Sequence, residues 1–250
     1  MKETTGVTPA DRTATNPAAS PTAAPISAPP PSAASQAPAP SVRLSRNDEE
    51  GLPEAVVRYT QERHWDVCPG AWLEAVDGVP RCACGQPDCP APGAHPLGED
   101  WQSQATGSQT VARRMWERRP TASILLPTGR TFDAIDVPET AGLLALARMD
   151  RHGLTPGPVT RTPLGRMFFF VLPGATTRVP DLLRRSGWHP DRLDLVTLGA
   201  GDYVVAPPSR YGGRGAVQWV RPPSLANRWL PDASELLAPL AYACGREARR

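Results

Sequence analysis

One stretch decides the fold class of this chain, and from Ser123 to Gly153 it reads SILLPTGRTFDAIDVPETAGLLALARMDRHG. Two short runs in it, Ser123–Leu126 and Phe132–Val137, are rich in branched and aromatic residues and predict strands. Pro138–His152 predicts a helix, because proline suits the first helical position and Gly153 suits the stop. Strands that alternate with helices in this way favour an α/β or α+β domain.

The same alternation extends to both sides of this stretch. Upstream, one helix is predicted to end near Arg63 and another to cover Ser108–Arg118, with strands near 65–67 and 71–79. Downstream, strands are predicted at Val159–Thr162, Met167–Leu172, Leu193–Leu198 and Tyr203–Ala206, and helices at Pro180–Ser186 and Ser234–Gly245. We expect the last two of these strands to pair with each other. The prediction is one α+β domain over residues 46–246, with a mixed sheet and flanking helices.

Composition separates the first 45 residues from the rest. Nine of the 31 prolines of the chain precede Val42, among Ala, Ser and Thr. Such a segment cannot bury enough apolar surface to offset the entropy lost on ordering, so residues 1–45 are predicted to be a disordered tail. No stretch is apolar for long enough to span a membrane, and we expect a cytoplasmic protein. The formal net charge of +2 does not by itself predict a nucleic-acid partner.

Three of the five cysteines lie close to a histidine, as Cys82, Cys84, Cys89 and His95. Three thiolates and one imidazole within fourteen residues match a closed tetrahedral zinc site, so residues 80–97 are predicted to form a zinc-stabilised insertion. Four protein ligands leave no position for water, and the zinc is therefore expected to be structural. Two alternatives stay open, namely unliganded loop thiols and Cys68 in place of one ligand.

Further motifs follow the Cys/His segment in a distinctive order. They are Pro92-Gly-Ala-His-Pro96, Trp101, Ala105-Thr106, Pro127-Thr-Gly129, Asp136, Thr162-Pro163, Asp194 and the run Asp202–Ser209. In this order they resemble the amino-terminal domain of bifunctional DNA primase/polymerases, over roughly residues 48–232. The resemblance implies an archaeo-eukaryotic-primase-type fold, in which a zinc-bearing element lies beside a sheet that binds nucleotide and metal. It also implies that nucleotides are joined on a DNA template with two Mg²⁺ or Mn²⁺ ions.

The chain departs from this family at three positions. Where the family has Asp-x-Asp at a strand end, this chain has Asp136-Val137-Pro138, and proline cannot ligate a metal. The nucleotide-contacting histidine of the family falls on Met167, and a lysine of the family falls on Ala94. Asp133 is expected on the opposite strand face from Asp136, because side chains alternate along a strand. Glu139, at the start of a helix, is the acid left to substitute for the missing one.

The resemblance and the charge pattern together give a set of candidate site residues. The candidate catalytic acids are Asp136 and Asp194, with Glu139 as a substitute, and the candidate nucleotide- or DNA-binding residues are Arg166, Ser209, Arg113 and Arg114. Plainer explanations stay open for most of them. Asp136 suits a helix start, Asp194 suits a solvent-facing strand position, Tyr203–Ser209 suits a core strand stopped by proline, and the arginines around Trp116 suit a solvated helix face.

Two functions follow from these observations. The favoured one is a primase/polymerase-like domain that binds nucleotide, DNA or both and has weak or lost nucleotidyltransferase activity. The alternative is an active template-dependent DNA primase/polymerase that uses Asp136, Asp194 and a substitute acid. Both predict DNA and nucleoside triphosphates as partners and structural Zn²⁺, and the active form adds Mg²⁺ or Mn²⁺. Because the chain contains no GxxxxGK[ST] motif, any helicase is expected to be a separate protein.

Overall fold

The computed structural model of the chain describes residues 51–248, apart from the side chain of Ala226. The predicted tail and the predicted domain start at residue 46 lie outside this range. The helices of the described part are α1 Leu52–Arg63, α2 Gln109–Arg118, α3 Glu139–Arg151, α4 Ala175–Arg185 and α5 Ala233–Glu247. Its strands are β1 Cys68–Pro69, β2 Leu73–Val76, β3 Val79–Cys82, β4 Ile124–Pro127, β5 Asp133–Pro138, β6 Val159–Arg161, β7 Arg166–Val171, β8 Val196–Leu198, β9 Tyr203–Ala206 and β10 Gln218–Arg221. None of these helices is long and apolar enough to cross a membrane.

The strands form two larger sheets and one hairpin. The five-stranded sheet has the order β10-β6-β7-β5-β8, the three-stranded sheet has the order β1-β4-β9, and β2 pairs with β3. Neighbouring strands are antiparallel in all three sheets. The α+β class predicted from the sequence is confirmed, with its strands divided between two larger sheets and the β2–β3 hairpin.

Strand β5, which lies between β7 and the edge strand β8, presents different environments on its two faces. Ile135 and Val137 are buried among residues of α3, α4 and α5. Ala134 is buried instead among residues of α1, α2 and the three-stranded sheet. Because side chains alternate along a strand, Asp136 shares the face of Ala134, where it pairs across the ladder with Phe168. This face carries the acidic cluster described below.

The predicted pairing of β8 with β9 is wrong. β8 pairs with β5 and β9 pairs with β4, so the two strands belong to different sheets. The chain crosses between the two larger sheets three times, from β4 to β5, from β8 to β9 and from β9 to β10. The first two crossing turns pack together, since the Thr128 hydroxyl donates to the Gly199 carbonyl over 2.6 Å. Gly129 has φ of +95°, and a Cβ there would lie 2.4 Å from the Ala200 nitrogen. Only glycine fits this contact.

Two further elements differ from their predictions. α4 begins at Ala175 rather than at Pro180, because the Asp133 carboxylate accepts hydrogen bonds from the amides of Gly174 and Ala175. An acid at this position satisfies amides that otherwise lack partners at a helix start. β10 escaped prediction, because its four residues, followed directly by two prolines, give too short an alternation to indicate a strand.

Candidate metal centre and acidic cluster

The Cys/His segment brings its four predicted ligands together beside the β2–β3 hairpin. Cys82 ends β3, and Cys84, Cys89 and His95 follow it. One ligand atom from each residue lies within 4.8 Å of all the others. His95 Nε2 lies 3.3 Å from Cys82 Sγ and 3.4 Å from Cys89 Sγ. This cluster can hold a metal ion.

The geometry suits a tetrahedral site. Bonds of about 2.3 Å to sulfur and about 2.0 Å to nitrogen place sulfur and nitrogen ligands roughly 3.5 Å apart, close to the distances in the cluster. His95 Nδ1 lies 2.7 Å from the Pro96 carbonyl oxygen, and an Nδ1–H that donates there leaves Nε2 as the ligand. The Gly93 amide donates to Cys82 Sγ over 3.3 Å, so the backbone of the segment also positions this sulfur.

The other two cysteines of the chain lie outside this cluster. Cys68 is buried, and its thiol donates to the Trp101 carbonyl oxygen over 3.2 Å. Cys244 is buried on α5 among the helices that cover the five-stranded sheet. Burial raises the pKa of both thiols, and neither sulfur belongs to the group of four ligand atoms that lie within 4.8 Å of one another. The alternative in which Cys68 replaces a ligand is thus not supported.

Arg166 joins the two candidate catalytic acids. Its Nε lies 2.9 Å from Asp136 Oδ1, and its Nη1 lies 2.7 Å from Asp194 Oδ2. The exposed fraction of the side chain is 17% for Asp136, 26% for Arg166 and 59% for Asp194. Asp136, Arg166 and Asp194 form what we call the acidic cluster, in which two negative charges share one positive charge.

Strand register explains how these three side chains meet. Pro138 is the partner of Arg166 in the β5–β7 ladder, and Asp136 is the partner of Val196 in the β5–β8 ladder. Asp194 precedes Val196 by two residues and therefore lies on the same face. Pro138 occupies the position of the second aspartate of the family, with Arg166 on one neighbouring strand and Asp194 extending the other. The side chain of Pro138, the ladder partner of Arg166, has no polar atom that could bind the guanidinium or a metal ion.

Burial and pairing oppose each other in the acidic cluster. Burial raises the pKa of Asp136 even though the hydrogen bond and charge of Arg166 act to lower it. Burial alone would lower the pKa of Arg166, but its hydrogen bonds to Asp194 and Asp136 raise it overall. Arg166 is thus a permanent cation between the acids, because guanidinium does not lose its proton in proteins.

Neither of the other nearby acids completes a divalent-metal site. Glu139 Oε1 lies 3.2 Å from Arg161 Nη1, and both line a groove of about 280 Å³ together with Arg214. Asp133 lies on the opposite face of β5 and caps α4. Mg²⁺ requires several oxygen ligands in octahedral geometry, but the acidic cluster offers two carboxylates that already accept charged hydrogen bonds. The donor set therefore does not fit the catalytic ion pair that the resemblance implies.

Met167 lies away from this cluster. Its side chain is fully buried on the helix-covered face, and a Cβ on Gly142 of α3 would lie 2.6 Å from its sulfur. The residues of β7 on the face of Asp136 are Arg166, Phe168 and Phe170. A histidine at position 167 would consequently enter the core rather than meet a nucleotide.

The remaining candidate residues lie outside the acidic cluster, and one of them already makes a hydrogen bond to the backbone. Ser209 is 2% exposed, and its hydroxyl oxygen accepts the amide of Ile124 over 2.8 Å. We therefore do not retain it as a ligand-binding residue. Arg113 and Arg114 are exposed on α2, whose buried side carries Trp116. These arginines remain free to contact phosphate.

Sequence reasoning did not single out two largely buried tyrosines, Tyr203 and Tyr211. Burial raises the pKa of both Tyr203 and Tyr211, and the charge of Asp136 contributes for Tyr211. Tyr203 packs edge-on against Trp101 with ring centroids 5.4 Å apart and lines a groove with Cys84 and His95. Both phenols stay protonated at neutral pH and can donate hydrogen bonds. The aromatic residue in the Asp202–Ser209 motif was the available signal.

Comparison with known proteins identifies the family. A search among curated proteins found no match. The family model of the bifunctional DNA primase/polymerase N-terminal domain matches residues 56–233, which is more than half of the 250 residues. That range includes the whole Cys/His cluster and the whole acidic cluster. The chain belongs to the bifunctional DNA primase/polymerase family, through its N-terminal Prim-Pol domain.

Proposed function

We propose that this protein is a Prim-Pol domain that binds DNA and nucleotide but has weak or lost nucleotidyltransferase activity. Membership of the family supports a primase/polymerase-like function. The observation that supports lost activity is the position of Arg166, which donates to Asp136 and to Asp194 at the same time.

Charge and geometry explain why this matters for catalysis. Template-directed nucleotide transfer relies on two divalent ions, held by carboxylates about 4 Å apart, to activate the attacking oxygen and stabilise the leaving one. A guanidinium supplies one positive charge in a fixed planar geometry, but it has no open coordination position. An incoming Mg²⁺ must break two hydrogen bonds to charged groups, and Pro138 offers it no ligand in return.

Binding does not depend on the same residues. Phosphate contacts in protein–DNA complexes come largely from arginine, lysine and backbone amides. The exposed face of α2 carries Arg113, Arg114 and Arg118, with one acid, Glu117, among them. We propose that this face contacts the DNA backbone.

We also propose that Cys82, Cys84, Cys89 and His95 hold a structural Zn²⁺. Three thiolates and one imidazole are the donors of closed zinc sites, and soft sulfur ligands disfavour Mg²⁺. The segment between Cys82 and His95 is rich in Gly and Pro and provides little core of its own. A bound ion would supply the stability that packing does not.

The decisive experiment compares nucleotide incorporation on a primed DNA template with Mg²⁺ or Mn²⁺. We expect the wild-type chain to bind the template and to extend the primer very weakly or not at all. The double variant Pro138→Asp, Arg166→Gln restores a second acid and removes the competing cation. It should bind Mn²⁺ more tightly, measured as a rise in melting temperature with added Mn²⁺.

Asp136→Asn placed in that double variant is the matched control, and it should cancel the gain in Mn²⁺ binding. Strong primer extension by the wild-type chain that disappears in Asp136→Ala would refute the proposal. That result would instead support the active enzyme, with another acid completing the site.

A further inference from the structure

The loop between β10 and α5 carries the two most exposed large apolar side chains of the described residues. Leu225 is 92% exposed and Trp229 is 86% exposed. Tryptophan is the largest apolar side chain, and leaving it in water forfeits the free energy that burial would provide. An aromatic ring so placed on an ordered loop requires a reason.

Hydrogen bonds hold the backbone of this loop in place. The Asn227 side chain accepts the amide of Ser224 over 2.6 Å and donates to the Pro222 carbonyl over 3.0 Å. From α1, Arg63 Nη2 donates to the Ser224 carbonyl over 2.6 Å, and its Nη1 donates to the Asn227 carbonyl. These hydrogen bonds therefore hold the backbone that precedes Trp229 against α1.

The loop also concentrates positive charge. Burial lowers the pKa of Arg63, the charge of Glu62 acts against this, and the exposed Arg228 is close enough for its charge to lower the pKa of Arg63 further. Neighbouring Arg221 is already paired with Asp150 at 2.7 Å. Two like charges beside an exposed aromatic ring are stabilised by an anionic partner with flat, stackable groups.

We infer that this loop is a docking site for single-stranded DNA, with a base stacked on Trp229 and the backbone phosphates near Arg228 and Arg63. Aromatic platforms next to basic residues bind single strands in this way without sequence preference. The inference rests on the proposed DNA-binding function and adds a second contact surface to it. A purely apolar protein partner would not be favoured by the two arginines.

The docking loop and the acidic cluster lie at opposite ends of β7. The Leu172 amide, which follows β7, donates to the Pro231 carbonyl of the loop over 2.9 Å, whereas Arg166 begins the strand. At about 3.3 Å per residue the two ends are roughly 20 Å apart. Substitution of Trp229 therefore leaves the acidic cluster untouched.

The test is the affinity of the full chain for a fluorescent twenty-nucleotide oligo-dT, measured by anisotropy at fixed salt. Stacking of one base contributes about 1–3 kcal/mol by alanine substitution, which corresponds to roughly 5- to 150-fold in affinity. Trp229→Ala should weaken binding by that factor, and Trp229→Phe should recover most of it. Leu143→Ala on α3, at a side chain that is 48% exposed, is the matched control and should bind like the wild type.

Three outcomes would overturn the docking site. They are equal affinity of the wild type and Trp229→Ala, equal loss in Leu143→Ala, and no binding of oligo-dT by any variant. In the first case the proposed DNA-binding function stands and only the loop is excluded. In the last case, duplex DNA and nucleoside triphosphate titrations of the same samples decide whether the proposed function fails as well.

Discussion

The Cys/His cluster and the acidic cluster are both made of residues that bind metals, yet they differ in what balances their charge. The first has four donor atoms within 4.8 Å of one another, from three thiols and one imidazole. The second has two carboxylates that share the guanidinium of Arg166. A ligand set without a cation of its own needs an ion, whereas one that includes a cation does not. Metal dependence is therefore expected at the Cys/His cluster and not at the acidic cluster.

The largest effect on metal content and stability is expected from a substitution in the Cys/His cluster. Cys84→Ala should release the metal and unfold at least the segment around residues 80–97. Apparent binding free energies of about 10–16 kcal/mol in small zinc domains are as large as the whole stability of a typical domain, roughly 5–15 kcal/mol. Elemental analysis and thermal unfolding of natively purified protein measure both consequences.

Cys68→Ser is the control for that substitution, because Cys68 is buried outside the cluster. It should retain one metal ion per chain even if it lowers the melting temperature. Retention of stoichiometric zinc by Cys84→Ala would contradict the proposed ligand set.

A smaller effect concerns protons at the acidic cluster. Burial raises the pKa of Asp136 above its ordinary value of 3.8, so the folded chain holds this proton at a pH where the unfolded chain has released it. The stability that Asp136 contributes is therefore present below that ordinary value and is lost as the pH rises through the raised pKa. The asparagine variant lacks this titration.

The free energy of unfolding of wild type minus that of Asp136→Asn should thus decrease from pH 4 to pH 7. Denaturant unfolding of both proteins measures it, and the difference cancels any pH effect on the Cys/His cluster that they share. A difference that increases with pH would show that pairing with Arg166 outweighs burial.

The smallest effect on stability is expected from substitution of Glu139. This variant tests whether Glu139 supplies the acidic cluster with a further metal ligand. Its pair with Arg161 is partly exposed, and such pairs contribute about 0.2–1 kcal/mol. Glu139→Ala should change the melting temperature by no more than a few degrees and leave the response to Mn²⁺ unchanged. Loss of Mn²⁺ binding in this variant would identify Glu139 as the substitute acid after all.

The two clusters also differ in how far the sequence could predict them. The four Cys/His ligands lie within fourteen residues. Their short separation in the sequence is almost enough to bring them together in space. The acidic cluster depends on Arg166 and Asp194, which are 28 residues apart and meet only through the register of β7, β5 and β8. Pairing between strands distant in sequence also decides two features that the sequence does not predict. These are the pairing of β8 with β5 rather than with its sequence neighbour β9, and the burial of Met167, the position of the family's nucleotide-binding histidine. Strand periodicity gives alternation, but not which face meets the helices.

The packing of Gly129 against Ala200 has a consequence for the charge of the acidic cluster. The two crossing turns sit at one end of the β5–β8 ladder, and the acids lie toward the other. A slip of one residue between β8 and β5 would turn Asp194 to the helix-covered face and bring Leu195 opposite Arg166. A single methyl group added at Gly129 would lie 2.4 Å from the Ala200 nitrogen. The close packing of these two turns therefore holds β8 in register with β5. A glycine that touches neither acid thereby fixes which side chain neutralises the arginine.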